Sequence, residues 1–138
     1  MGTPYAIDVI DHVVLRVHDL ERAVAFYVDV VGCSIARRRD DLGMVHLRAG
    51  GSMIDLVDAQ GRLGLRGGAA PDAGARNVDH ICLRVAPFDE AALVAHLGAH
   101  GVTPEGRAES NYGAQGDGES LRFADPEGNV VELKGVLI

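Results

Sequence analysis

The chain contains no tryptophan, only three Phe and three Tyr, and two cysteines in 138 residues. So few rings leave little surface for stacking bases or planar drugs. Two cysteines, Cys33 and Cys82, are too few for a disulfide framework and fit ordinary buried thiols in a reducing compartment. No apolar run approaches the roughly 20 residues that span a bilayer. The first residues, MGTPYAIDVIDH, lack both the basic start and the long apolar core of a secretory leader. A basic excess is missing too: 13 Lys and Arg are scattered among 20 Asp and Glu, for a formal charge of −7. That balance argues against nucleic-acid and membrane partners and leaves small molecules. The expectation is a cytoplasmic protein. A chain of this length buries roughly 70% of its unfolded surface, so one domain, residues 1–138, is expected to stand without staples.

What the chain does have is a phrase written twice. Asp11 to Val17 reads DHVVLRV and Asp79 to Val85 reads DHICLRV, so His12 and His80 recur at an offset of 68 positions (80 − 12). Such self-similarity implies a duplicated module. Val9 to Val17 alternates like a half-buried strand, with Val13, Leu15 and Val17 on the packing face and His12, Val14 and Arg16 opposite. Asp19 then caps a helix over Leu20 to Val31, stopped by Gly32. Strand candidates follow at Cys33 to Arg39, Met44 to Ala49 and Ser52 to Val57, separated by glycine-containing turns. Module one, about residues 8–58, therefore reads βαβββ.

Residues 59–76 are rich in Gly, Ala and Arg and read as a linker or mobile loop. Module two, about 77–135, repeats the order: a strand over Val78 to Val85, a helix over Phe88 to His100, then strands at Val102 to Glu109, Glu119 to Ala124 and Val130 to Lys134. A polar loop with Asn111 and three glycines lies among them, and Asp125-Pro126-Glu127-Gly128-Asn129 forms the last turn. The expected class is α+β, with tandem βαβββ modules forming a curved, mostly antiparallel sheet around a metal-binding cavity.

The final strands of the modules match as well. Ser52-Met53-Ile54-Asp55-Leu56 and Asn129-Val130-Val131-Glu132-Leu133 share the order polar, apolar, apolar, acid, Leu. A carboxylate between apolar neighbours on a half-buried strand loses hydration worth several kcal/mol unless a cation or hydrogen bonds compensate. Each module thus offers one His and one acid: His12 with Asp55, and His80 with Glu132. Two imidazoles and two carboxylates suit one divalent ion, Zn, Ni, Co, Fe or Mn, without selecting among them.

Other candidates carry less. Arg16, Arg84 and Lys134 share the ligand faces, and Arg16 is the candidate substrate-binding cation. Cys82 reads as a buried filler and His18 as incidental; His46 borders the cavity at most. His96 and His100, four apart on the second helix, read as a solvated face. Gly113, Gly116 and Gly118 lack the Lys-Ser/Thr of a phosphate loop and read as a flexible lip.

With Phe26-Tyr27 in the first helix and the Asp125 to Asn129 turn before Glu132, the whole pattern, from about Ile10 to Lys134, resembles the vicinal oxygen chelate superfamily. That group includes glyoxalase I, extradiol dioxygenases, fosfomycin-resistance enzymes and metal-free bleomycin-binding proteins. The resemblance implies that His12, Asp55, His80 and Glu132 ligate a metal, and that Arg16 matches an Arg binding a glutathione carboxylate in bacterial glyoxalase I. Two positions depart from it. Asp55 replaces a Glu, and Ala59, followed by Gln60, replaces an Asn expected to help hold glutathione as co-substrate.

The leading expectation is a metal-dependent lyase or isomerase of the glyoxalase I type, working through a metal-chelated enediolate, with Glu132 and Asp55 as catalytic carboxylates. The alternatives are an Fe(II) extradiol-type dioxygenase, a fosfomycin-type transferase using Arg16, Arg84 and Lys134, and a non-catalytic drug-binding resistance protein. A homodimer is expected, with the ligands of one site drawn from one chain or from two.

Overall fold

A computed structural model describes residues 2–136. The outermost bounds of the expected 1–138 domain lie outside the described residues. The elements are β1 (His12–Val17), α1 (Leu20–Phe26), β2 (Ser34–Arg39), β3 (Met44–Ala49), β4 (Ser52–Asp58), β5 (Ile81–Arg84), α2 (Glu90–Ala99), β6 (Glu109–Gly113), β7 (Gly116–Ala124) and β8 (Val130–Lys134). They form two four-stranded sheets of matching topology, β1-β4-β3-β2 and β5-β8-β7-β6. In each, the first strand pairs parallel with the last and the other pairings are antiparallel. The α+β pair of βαβββ modules expected from the sequence is the fold.

The odd-numbered face of β1 goes inward because it is the apolar one. Leu15 and Val17 join Val45, Leu47, Leu56, Leu121, Phe123 and Leu133 in one core that takes side chains from both modules. Burying each such aliphatic side chain contributes about 1.5–3 kcal/mol against the entropy of ordering the chain. One shared core leaves the opposite faces, which carry the histidines and acids, directed away from it.

Caps and turns set the element ends. The Asp19 carboxylate accepts from the Arg22 amide and starts α1, as Asp89 does for α2 through the Ala92 amide. The first helix loosens into a π-turn over Tyr27–Val31 before Gly32, whose φ of 98° ends it in the left-handed region. The second module differs most from expectation. Val102 to Glu109 is not a strand; β6 instead occupies Glu109–Gly113, in the stretch read as a polar loop, and pairs with β7 from Gly116 onward. The tight Gly113↔Gly116 hairpin makes the difference, because backbone pairing needs no apolar alternation.

The modules are stitched at their junction. Asp125 accepts from Tyr27 Oη at 2.7 Å and from the amides of Glu127 and Asn129, each at 2.8 Å. Glu127 reaches back to accept from the His18 and Asp19 amides. Asn77 brackets Arg16, accepting from its amide and donating to its carbonyl. His96 lies on the exposed face of α2 expected from the sequence, and its Nε2 also lies 2.8 Å from the Val30 carbonyl, tying α2 to module one. Among the described residues, no helix is long and apolar enough to cross a membrane.

Candidate functional site

The period-two geometry of β1 turns His12, Val14 and Arg16 to one side, and the parallel register sets Val14 against Asp55 of β4. Module two repeats the arrangement, with Cys82 against Glu132. In both modules the histidine therefore lies one step before the residue that faces the acid. His12 Nε2 is 4.0 Å from Asp55 Oδ2, and His80 Nε2 is 3.4 Å from Glu132 Oε1. Both acids are buried, Asp55 at 5% and Glu132 at 4% exposure.

The other nitrogen of each ring is held by the residue before it. Asp11 Oδ1 lies 2.7 Å from His12 Nδ1, and Asp79 Oδ2 lies 2.6 Å from His80 Nδ1. A carboxylate on Nδ1 holds the ring so that Nε2 points at the facing acid, the arrangement that presents an imidazole to a metal. The Asp11 hydrogen bond, with Asp55 adding to it, raises the His12 pKa above its ordinary value. The His80 hydrogen bond holds the Asp79 carboxyl below the usual carboxylate range. Asp11 and Asp79 are functional candidates that the sequence reading passed over, although the repeated Asp-His pair was their signal.

The third neighbour of each acid comes from the antiparallel side. The register places His46 of β3 opposite Asp55, and Arg122 of β7 opposite Glu132. His46 Nδ1 lies 2.9 Å from Asp55 Oδ1. Arg122 donates from Nε at 3.1 Å and lies within 3.0 Å through its terminal nitrogen, both on Glu132 Oε1. Each acid thus commits one oxygen to a strand neighbour. Asp55 Oδ2 is left facing His12, and among the described residues Glu132 Oε2 meets the Cys82 thiol alone, at 3.5 Å. Burial, with Glu132 beside it, raises the Cys82 pKa to about 11.

The two half-sites do not converge within one chain: no group of three or more His, Cys, Asp or Glu able to hold a metal forms among the described residues. His12 and His80 remain open, their side chains 48% and 29% exposed. Module two's face borders a cavity of about 1080 Å³ lined by His80, Cys82, Arg84, Arg122, Glu132 and Lys134. Arg16 is engaged elsewhere. Its guanidinium donates to the carbonyls of Gly64, Gly68 and Ala69 at 3.3, 3.0 and 2.9 Å, pinning the segment read from sequence as a mobile linker. Gly67 lies against this guanidinium: a Cβ there would fall 2.6 Å from an Arg16 nitrogen.

Paired βαβββ modules, each presenting a carboxylate-oriented histidine to a buried acid on its open face, define a two-module α+β protein. Residues 9–133 match the Glyoxalase/Bleomycin resistance protein/Dioxygenase superfamily, and the chain belongs to it. Its fold is similar to that of a virulence protein from Salmonella typhimurium, at 22% identity and a TM-score of 0.79 over 96% of this chain and 100% of that one. A lactoylglutathione lyase from Agrobacterium tumefaciens is 24% identical, with a TM-score of 0.63 over 96% of each chain. An antibiotic binding protein from a Streptomyces species is 22% identical, with a TM-score of 0.68 over 96% of this chain and 99% of that one.

Proposed function

We propose that the protein is a metal-dependent lyase or isomerase of the glyoxalase type, acting on a small substrate with two neighbouring oxygens. The observation that carries the reading is the twofold Asp-His-acid relay, Asp11-His12-Asp55 and Asp79-His80-Glu132. Nothing in a packed core requires two exposed rings to be oriented this way, whereas a divalent ion does. The donor set fits one: His12 and His80 offer Nε2, and Asp55 and Glu132 offer carboxylate oxygens. Bound there, the ion would supply Lewis acidity to two adjacent substrate oxygens.

The chain's own groups supply the rest. Glu132 Oε2, free of Arg122, takes the proton from the carbon next to the substrate carbonyl, while Arg122 fixes the carboxylate through Oε1. Glu132 returns the same proton to the neighbouring carbon, and Asp55, held through Oδ1 by His46, would ligate through Oδ2 and take the equivalent base role for a substrate presented on its side. Arg16, with three carbonyls on its guanidinium, belongs to the scaffold in this reading and gives up its place as the substrate cation.

Because each chain holds two separate half-sites, the reading places module one of one subunit against module two of its partner in a homodimer. Subunit mixing tests this directly. His12→Ala and His80→Ala homodimers should each be inactive, and a mixed dimer should regain one intact site of two. No recovery in a purified, metal-loaded mixed dimer would sink the shared site. A panel of 2-oxoaldehyde hemithioacetals, with and without glutathione as the thiol, and catechols with oxygen uptake separates lyase from dioxygenase chemistry.

The Arg122 ion pair on Glu132 favours a second reading, a metal-free binding protein, because it neutralises one acid without an ion. Metal analysis after purification without chelators decides between them. Fewer than about 0.1 ion per chain, with no uptake on titration, supports the binder.

A further inference from the structure

We infer that module two's cavity contains an oxyanion subsite centred on Lys134, which takes the carboxylate or phosphonate of the substrate; this rests on the reading of His80 and Glu132 as the reacting end. Lys134 is the only lysine among the 13 basic residues of the chain, and it is 6% exposed. It lies on β8 two residues beyond Glu132, on the same face and lining the same cavity. Its backbone is therefore roughly 7 Å farther along the strand.

The ammonium donates to the carbonyls of Gly116 at 2.9 Å and Gly135 at 3.3 Å. Those contacts satisfy two of its three N–H groups without cancelling its charge. Among the described residues no carboxylate pairs with it, the cavity's acid Glu132 being taken by Arg122 and His80. A buried ammonium without a counter-ion is unfavourable, and an incoming anion relieves it.

Two glycines border this side chain, Gly118 being required chiefly by the Gly135 backbone. A Cβ on Gly113 would lie 3.1 Å from Lys134 Cε, and one on Gly118 would lie 3.0 Å from Nζ and 2.1 Å from the Gly135 carbonyl. Neither glycine has a positive φ, so space rather than backbone conformation calls for it. Arg84 stands opposite Lys134 in the β5–β8 register and lines the same cavity. Three cations, Arg84, Arg122 and Lys134, therefore share a cavity whose lining carboxylates are Glu132 and Asp8, in a chain of net charge −7. Module one carries arginines on its open face, Arg37, Arg39 and Arg48, but among the described residues no buried cation beside its acid. Val57 follows Asp55 by two, where Lys134 follows Glu132, and Arg16 is turned to the linker. The substrate is thereby oriented, its anion toward the β8 end of module two and its vicinal oxygens toward His80 and Glu132.

A single lysine makes the test direct, because isotope labelling of lysine yields one side-chain signal. The full-length, chelator-treated protein is titrated with glycolate, hydroxymethylphosphonate and ethylene glycol while the Lys134 Cε resonance is followed by NMR. At least one anion should shift that resonance saturably, and ethylene glycol should not; the tighter anion identifies carboxylate or phosphonate. Lys134→Met and Lys134→Gln should weaken binding by calorimetry about tenfold or more, and Arg84→Gln by roughly threefold. If the lysine variants fail to fold, the wild-type NMR titration and Arg84→Gln carry the test. A stationary Lys134 signal, unchanged affinity in Lys134→Met, or an equal response to ethylene glycol overturns the subsite. A parallel metal titration separates the two readings: metal uptake without anion binding overturns the subsite alone, and anion binding without metal uptake overturns the proposed function alone.

Discussion

The two modules share strand order, register and a histidine-acid pair, yet their open faces differ at the residues around the acid. Module one surrounds Asp55 with His46, His12, Val14 and Val57. Module two surrounds Glu132 with Arg122, His80, Cys82 and Lys134. His46 and Arg122 occupy equivalent places across from the acid, but one is a titratable ring and the other a permanent cation. The histidine-acid geometry is thus shared, while the buried cation beside it is not: Lys134 follows Glu132 by two residues where Val57 follows Asp55, and module one's Arg37 and Arg48 lie exposed on the same face as His46. In the proposed function this difference is a division of labour: both halves offer a histidine and an acid, and module two adds the buried lysine.

The largest effect should come from removing the acid on the cationic side. Glu132→Gln in the metal-loaded protein should lower kcat by about 10³-fold or more with an unchanged thermal melt, as loss of a general base does. Near-normal turnover of that variant would end the assignment, and a larger loss in Asp55→Asn would reverse the roles given to the modules. Next in size, Asp11→Asn and Asp79→Asn should each weaken metal binding about 10–100-fold, the usual consequence of losing the group behind a ligand ring. Similar losses in the two variants would show that the relays act alike; an effect confined to one would break the symmetry.

A smaller effect lies at the module junction. Tyr27 is fully buried and donates to Asp125, and burial with the neighbouring carboxylate raises its pKa far above the ordinary tyrosine range. Tyr27→Phe should cost about 1–2 kcal/mol in denaturant unfolding, since it leaves a buried carboxylate oxygen short of one partner, and should not alter metal affinity. The smallest test concerns Cys82, whose pKa is raised to about 11. Its folded value exceeds that of a free thiol, so near neutral pH it is protonated and should alkylate slowly, about tenfold faster per pH unit until pH approaches that value. Glu132→Gln removes an adjacent negative charge and should speed the reaction; no change would mean that Cys82 does not sense Glu132.

The fold was legible because its signals are local and repeated. Alternation over His12 to Val17, the Asp19 cap and the Asp125 to Asn129 turn each depend on neighbours within a few residues. The Gly113 to Gly116 hairpin escaped because its strands carry polar and glycine residues, which give no apolar period to read. The pairing of each histidine with its acid was readable from the duplication. Arg122 and His46 were not, since they meet the acids only through the register of a neighbouring strand.

By itself the sequence determined the module, its repetition and the histidine and acid that each module repeats, because backbone propensity, capping and side-chain period act over short stretches of chain. The tertiary structure alone decided where the charges are spent. It turned Arg16 to the linker carbonyls, set Arg122 on Glu132, buried Lys134 against the Gly116 and Gly135 carbonyls, and left the half-sites apart among the described residues of one chain. Those outcomes follow from long-range packing around a single shared core, which fixes the distance and orientation between residues that no local pattern relates.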